Sequence, residues 1–152
     1  MNNDPIDMLM ADHREVESLF KATKGEPMNL QPLADQIANA LTTHTEMEER
    51  VFYPAVQARA KEESDILDDW MIKHSYDEHG LVKKMLEELS EKRGDESSLK
   101  HILWRIEKAV QLHVLEEERI LFPHARNLLD QAELDRVGTE MMAIKQQRRP
   151  AA

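Results

Sequence analysis

The chain contains no cysteine, which removes disulfides, thiolate metal sites and iron–sulfur ligation at one stroke. Any metal must then be held by imidazole and carboxylate, donors that suit fairly hard ions. Glycine occurs only four times, aromatics make up 5%, and no run of alternating β-branched residues is present, so a sheet has little to build on. Basic residues are outnumbered, 20 Lys and Arg against 30 Asp and Glu, and the resulting charge of −10 opposes a phosphate backbone, which needs clustered cations. No apolar stretch approaches the ~20 residues that span a bilayer. The N-terminal Met-Asn-Asn-Asp-Pro has neither the basic nor the apolar region of a signal peptide. A cytoplasmic protein is expected, with no nucleic acid and no membrane as partner.

What is present is helix-forming. With 152 residues, 41% of them hydrophobic, the chain has about one domain's worth of core, and Leu, Ala, Glu, Met, Lys and Gln dominate it. Asp4-Pro5 predicts a helix start with Asp4 as cap, and the stripe Ile6, Leu9, Met10, His13, Val16, Phe20 carries it to about Gly25. Pro32 opens a second helix running to about Arg59, with Leu33, Ile37, Ala40, Leu41, His44, Met47 or Glu48, Val51 and Ala55 on its stripe. A kink is expected at Pro54, which lacks the amide that would bond to Arg50. A third helix is expected from about Ser64 to Lys92. A fourth, capped by Asp95 or Ser97, carries Leu99, Ile102, Leu103, Ile106, Val110, His113, Glu117, Ile120 and Leu121. Asp130 with Glu133 caps a shorter fifth helix, about 131–147, before a frayed tail. The predicted fold is all-α: an up-down-up-down four-helix bundle over about 5–130, with a short fifth C-terminal helix, as one domain.

One motif occurs twice. His44-Thr-Glu-Met-Glu48-Glu-Arg-Val-Phe-Tyr-Pro54 returns as His113-Val-Leu-Glu-Glu117-Glu-Arg-Ile-Leu-Phe-Pro123. An upstream pair returns with it, Asp12-His13 as Glu78-His79. In each motif a histidine and a glutamate stand one helical turn apart on the apolar stripe. A buried, ionised glutamate is costly unless it is paired or metal-bound. Four histidines and two carboxylates, related by an approximate two-fold, therefore converge on a shared interior. Two such carboxylates can bridge a pair of cations while each cation takes two imidazoles, leaving open positions. Neither the Glu-x-x-His of ferritin-like di-iron bundles nor the zincin His-Glu-x-x-His is present. His101 falls on a polar face with Arg105 and Lys108, and His124 continues the stripe toward a helix end.

The pattern His … His-x-x-x-Glu … His … His-x-x-x-Glu resembles the hemerythrin-like, HHE cation-binding family. The resemblance implies a non-haem di-iron centre, two iron ions joined by an oxo or hydroxo bridge when oxidised, with His13, His44, Glu48, His79, His113 and Glu117 as ligands. It further implies a protein that binds or turns over a small oxidant, O2, NO or peroxide, at open iron positions. The alternative is an iron- or oxygen-sensing, or iron-storage, binding module without turnover; a purely structural bundle is a third reading. Oxygen-carrying hemerythrins differ in having a His-x-x-x-His pair on the third helix and an aspartate five residues after the last histidine. Here Ser75 stands where the first histidine of that pair would be.

His74 precedes His79 by five residues, which on an ideal helix separates the rings by about 140°. The stripe Leu67, Trp70, Met71, His74 also runs on a different line from His79, Val82, Leu86, Leu89. A π-bulge between Ser75 and Glu78 would turn both lines inward and make His74 a seventh ligand.

Overall fold

The computed structural model describes residues 3–63 and 66–148. Helix α1 spans Pro5–Thr23, and Asp4 caps it by accepting from the amides of Ile6 and Asp7, each at 2.9 Å. Helix α2 (Gln31–Met47) runs into a π turn (Glu48–Phe52) and then α3 (Tyr53–Glu62), with no loop between them. Helix α4 spans Ile66–Glu91. The sequence α5 (Glu96–Glu116), second π turn (Glu117–Leu121), α6 (Phe122–Leu128) repeats the earlier arrangement, and α7 (Gln131–Gln147) is the last described helix. Asp95 caps α5 through the Ser98 amide, and Asp130 with Glu133 forms a capping box on α7. The expected third-helix start at Ser64 and the end of the tail lie outside the described residues, as does the side chain of Leu67.

Pro54 and Pro123 do more than kink their helices. A proline cannot donate to the carbonyl four residues back, and its ring crowds that carbonyl. The preceding turn widens instead: the amides of Tyr53 and Phe122 bond five residues back, to the carbonyls of Glu48 and Glu117. The repeated Glu-Glu-Arg-x-x-x-Pro thus encodes the same irregular turn twice.

The bundle's α1 packs on α2 and α4 on α5; α2 and α3 close against α4, and α1 against α5. Helix α7 lies across α1, α2 and the first π turn. Gly138 makes that seat possible, since a Cβ there would stand 1.7 Å from the Asn3 carbonyl oxygen. The apolar core falls into two parts. One, around Phe20, Ile37, Leu99 and Ile106, fills the end near the α1–α2 and α4–α5 loops; the other, around Leu9, Phe52, Phe122 and Met141, is capped by α7. The polar residues of the repeated motif form a slab between the two.

Three stripe assignments differ from expectation. Met10 is 38% exposed while Met8 is buried, because α1 begins with its inner face turned toward α7. Ile120 is 40% exposed, whereas its repeat counterpart Val51 is buried under α7. On α4, Trp70 is 59% exposed, and the buried line runs Ile72, Ser75, His79, Val82, Met85, Leu89. That line keeps ordinary helical spacing, so α4 needs no bulge at 75–78 and shows none.

Candidate metal centre

The slab gathers all six expected side chains. His13 comes from α1, His44 from the last turn of α2, His79 from α4, and His113 from α5. Glu48 and Glu117 are each the first residue of a π turn, and both side chains are fully buried. Potential ligand atoms cluster in two groups of three: His13, His44 and Glu117, and Glu48, His79 and His113. The carboxylates are therefore exchanged between the halves of the repeat, each helix pair contributing its glutamate to the histidines of the other. Each also reaches back to its own half. Glu48 Oε1 lies 2.6 Å from His44 Nε2 and 3.6 Å from His79 Nε2, while Glu117 Oε1 lies 3.2 Å from both His13 Nε2 and His113 Nε2.

Every one of the four imidazoles has a carboxylate on its Nδ1, and the pattern obeys the two-fold. Asp12 holds His44 at 3.2 Å and Glu78 holds His113 at 3.0 Å; Glu118 holds His13 at 2.9 Å and Glu49 holds His79 at 3.0 Å. The residue before each upstream histidine thus serves the motif histidine on the next helix. The second glutamate of each motif serves the upstream histidine of the other half. Such bonds hold the Nδ1 proton outward and turn Nε2 inward, the orientation a metal ligand requires. The outer carboxylates are anchored in turn by Lys145 on Asp12 at 2.5 Å, Lys83 on Glu49 and Arg14 on Glu118.

The inward atoms are poorly satisfied by the protein alone. His13 Nε2, His44 Nε2, both oxygens of Glu48 and Oε1 of Glu117 are buried with no hydrogen bond of good geometry, although His44 Nε2 and Glu48 Oε1 stand 2.6 Å apart. Buried polar atoms are seldom left so, and five converging on one space form a donor set that cations would complete. The electrostatics agree. Burial alone would lower the basicity of His44, yet the Glu48 carboxylate and the hydrogen bond to Asp12 override it and push its pKa up to about 10. His113 is likewise raised against burial, chiefly by Glu117. His79 is lowered, by burial and by the neighbouring charge on His113, 3.1 Å away between Nε2 atoms. Burial would raise the Glu48 carboxyl, but His44 holds it well below the usual range. The interior carboxylates thus draw positive charge into the slab.

Tyr53 breaks the two-fold. It occupies the repeat position that Phe122 holds in the second half; His79 stacks on Tyr53 at 5.5 Å between centroids, and His13 on Phe122 at 5.7 Å. The hydroxyl alone is extra, and it donates to Glu117 Oε2 at 2.7 Å. Burial and the two glutamates raise its pKa well above the ordinary phenol value. Sequence reading passed over Tyr53 and the roles of Asp12, Glu49, Glu78 and Glu118, although the paired glutamates in each motif were a visible signal.

His74 joins neither buried group. Helix α4 is regular there, so the ring points away from the slab, stacks on Trp70 and faces Glu78 and Glu116 instead. His101 is exposed, as expected, and His124 is half-buried. Beside the imidazoles lies a narrow apolar cavity of about 30 Å³, bordered by Val16, Leu41, Val82, Val110 and Val114, roomy enough for a ligand of two or three atoms.

Comparison with known proteins agrees with this geometry. A family model described as the Hemerythrin HHE cation binding domain matches residues 4–76, which contain one upstream histidine and one complete motif. The crystal structure of a Hemerythrin HHE cation binding domain-containing protein from Mycobacterium kansasii superposes with a TM-score of 0.77, covering 97% of this chain and 88% of that one. At 24% identity that likeness is one of fold. A protein of Nostoc sp. (strain PCC 7120) described as a DNA nickase is 29% identical over 141 residues, or 91% of this chain. The chain spans 38% of that relative's length.

Proposed function

We propose that the chain is a hemerythrin-like, metal-binding protein related to the HHE cation-binding family that its N-terminal half matches, that it holds a non-haem pair of iron ions, and that it binds or turns over a small oxidant, O2, NO or peroxide. His13, His44 and Glu117 would hold one ion and His79, His113 and Glu48 the other. The observation that carries this reading is the set of five buried, unsatisfied ligand atoms facing one another across the two groups. Imidazole and carboxylate donors suit iron, and the bare chain has no thiolate to favour a softer ion. When bound, the iron pair would supply one-electron redox chemistry and open coordination positions.

The protein's own part is orientation and exclusion. Asp12, Glu49, Glu78 and Glu118 keep the four Nε2 atoms inward, Tyr53 offers a proton donor at Glu117 Oε2, and the valine-lined cavity is sized for a small ligand. We take the chain as one hemerythrin-like domain acting in the cytoplasm. Among the described residues no helix is long and apolar enough to cross a membrane. The charge of −10 speaks against nucleic acid as partner, so nicking is left with the longer relative.

Iron content, with ultraviolet–visible spectra before and after reduction and on exposure to O2, NO and peroxide, tests the proposal. Two irons per chain and a ligand-dependent spectrum are expected; zinc in iron-replete protein would overturn it. Val110→Phe, which fills the cavity wall, should keep the iron and slow the reaction with each oxidant. A second reading, an iron- or oxygen-sensing or storage module without turnover, draws on the match to a domain-sized part of a longer protein. Iron binding with no consumption of oxidant would favour it.

A further inference from the structure

An imidazole and two carboxylates also converge at the surface, outside the slab. His74 and Glu78 stand one turn apart on α4, and Glu116 ends α5 opposite them. His74 Nε2 lies 3.3 Å from Glu116 Oε2 and 3.7 Å from Glu78 Oε2, with all three ligand atoms within 4.8 Å of one another. One nitrogen and two carboxylate oxygens are the donors that a divalent first-row cation takes.

Three further observations point the same way. Trp70 stacks flat on His74, centroids 5.5 Å apart and planes 3° from parallel, which fixes the ring with Nε2 toward Glu116. Glu116 Oε2 is buried and makes no hydrogen bond. Finally, Asp35, Glu46 and Glu88 on the surface each take an arginine, whereas no lysine or arginine among the described residues pairs with Glu78 or Glu116. Among the described basic groups, imidazole alone faces these two acidic groups, His74 at both and His113 at the far oxygen of Glu78.

We propose that His74, Glu78 and Glu116 form a third divalent-cation site, separate from the buried pair and joined to it through Glu78. Glu78 turns Oε2 to the outer site while its Oε1 accepts from His113 Nδ1 at 3.0 Å. A cation outside therefore polarises the carboxylate that orients an inner ligand. The side chains are 38%, 16% and 25% exposed, so an ion reaches the site without the bundle opening. The proposal does not depend on which metal the buried groups hold.

Trp70 supplies the readout. In a Trp104→Phe background, with Trp70 as the single tryptophan, Mn2+ is titrated into iron-loaded protein, following Trp70 fluorescence and, by electron paramagnetic resonance, free Mn2+. One ion bound beyond the iron content, with quenching of Trp70, is expected. His74→Ala and Glu116→Gln should each weaken that binding tenfold or more while leaving iron content and the melting curve unchanged. Undiminished Mn2+ binding in both variants, or no Mn2+ bound by the parent, would overturn the outer site. Should iron analysis return none, the reading of the buried pair fails, and the Trp70 titration still decides the outer site.

Discussion

Tyr53 donates its hydroxyl to Glu117 Oε2 across 2.7 Å, from the position that Phe122 occupies in the other half of the repeat. Glu117 Oε1 faces His13 and His113 Nε2 at 3.2 Å without good hydrogen-bond geometry, so the phenol supplies the well-formed hydrogen bond to this buried carboxylate. Tyr53→Phe restores the two-fold and leaves both oxygens to be met by a cation. Metal stoichiometry should be unchanged, because the phenol belongs to neither group of three. Stability of metal-stripped protein should fall by about 1–3 kcal/mol, the cost of an unsatisfied buried acceptor, with a smaller loss in loaded protein. Denaturant melts of both forms check this; equal losses would assign Tyr53 to packing alone.

Because Glu48 and Glu117 each approach imidazoles of both groups, removing either should empty both. Glu48→Ala and Glu117→Ala are expected to bind well under one ion per chain by metal analysis, while His101→Ala keeps the full complement. A variant that lost one ion and kept the other would show that each carboxylate serves a single metal.

The outer carboxylates should act on affinity and not on number. Glu49→Gln and Glu118→Gln weaken the acceptors on His79 and His13, and loss of such partners typically lowers metal affinity about 10–100-fold. Chelator competition should show that shift, and saturating metal should restore the parental stoichiometry. Affinity equal to that of the parent would mean that packing alone orients these rings.

Stability without metal should depend on pH in a stated direction. The pKa of His44 rises from 6.5 to about 10 on folding, so its contribution is fully present below about pH 6.5 and is lost as pH climbs toward 10. Asp12 is lowered against burial by His44 and Lys145, so its contribution is present above the ordinary carboxyl range and lost in acid. Metal-stripped protein should therefore melt progressively lower between about pH 6.5 and 10. Metal binding near neutrality should release protons, and binding should weaken as pH falls. Melts across that range and calorimetry in buffers of different ionisation enthalpy give both quantities. A flat stability profile for stripped protein over this window would contradict the charge arrangement.

Much of this was legible in the chain itself. Helical periodicity, caps at Asp4, Asp95 and Asp130, and Pro5 and Pro32 in first turns are local signals, and they set the helices nearly where they stand. The six slab residues were equally legible, because a histidine and glutamate on an apolar stripe, repeated in register, have few other reasons to be there. What tertiary structure decided is how these parts are shared. Exchange of Glu48 and Glu117 between the halves, and the cross-helix service of Asp12, Glu49, Glu78 and Glu118, depend on how four helices face one another, which no single helix encodes. The widened turns illustrate the boundary. Pro54 and Pro123 announced an irregularity, but whether the turn kinks or takes in an extra residue depends on what the wider turn turns inward, here Glu48 and Glu117. His74 went the other way: regular packing of Ile72 and Ser75 into the core left α4 unbulged and carried His74 out toward Glu116.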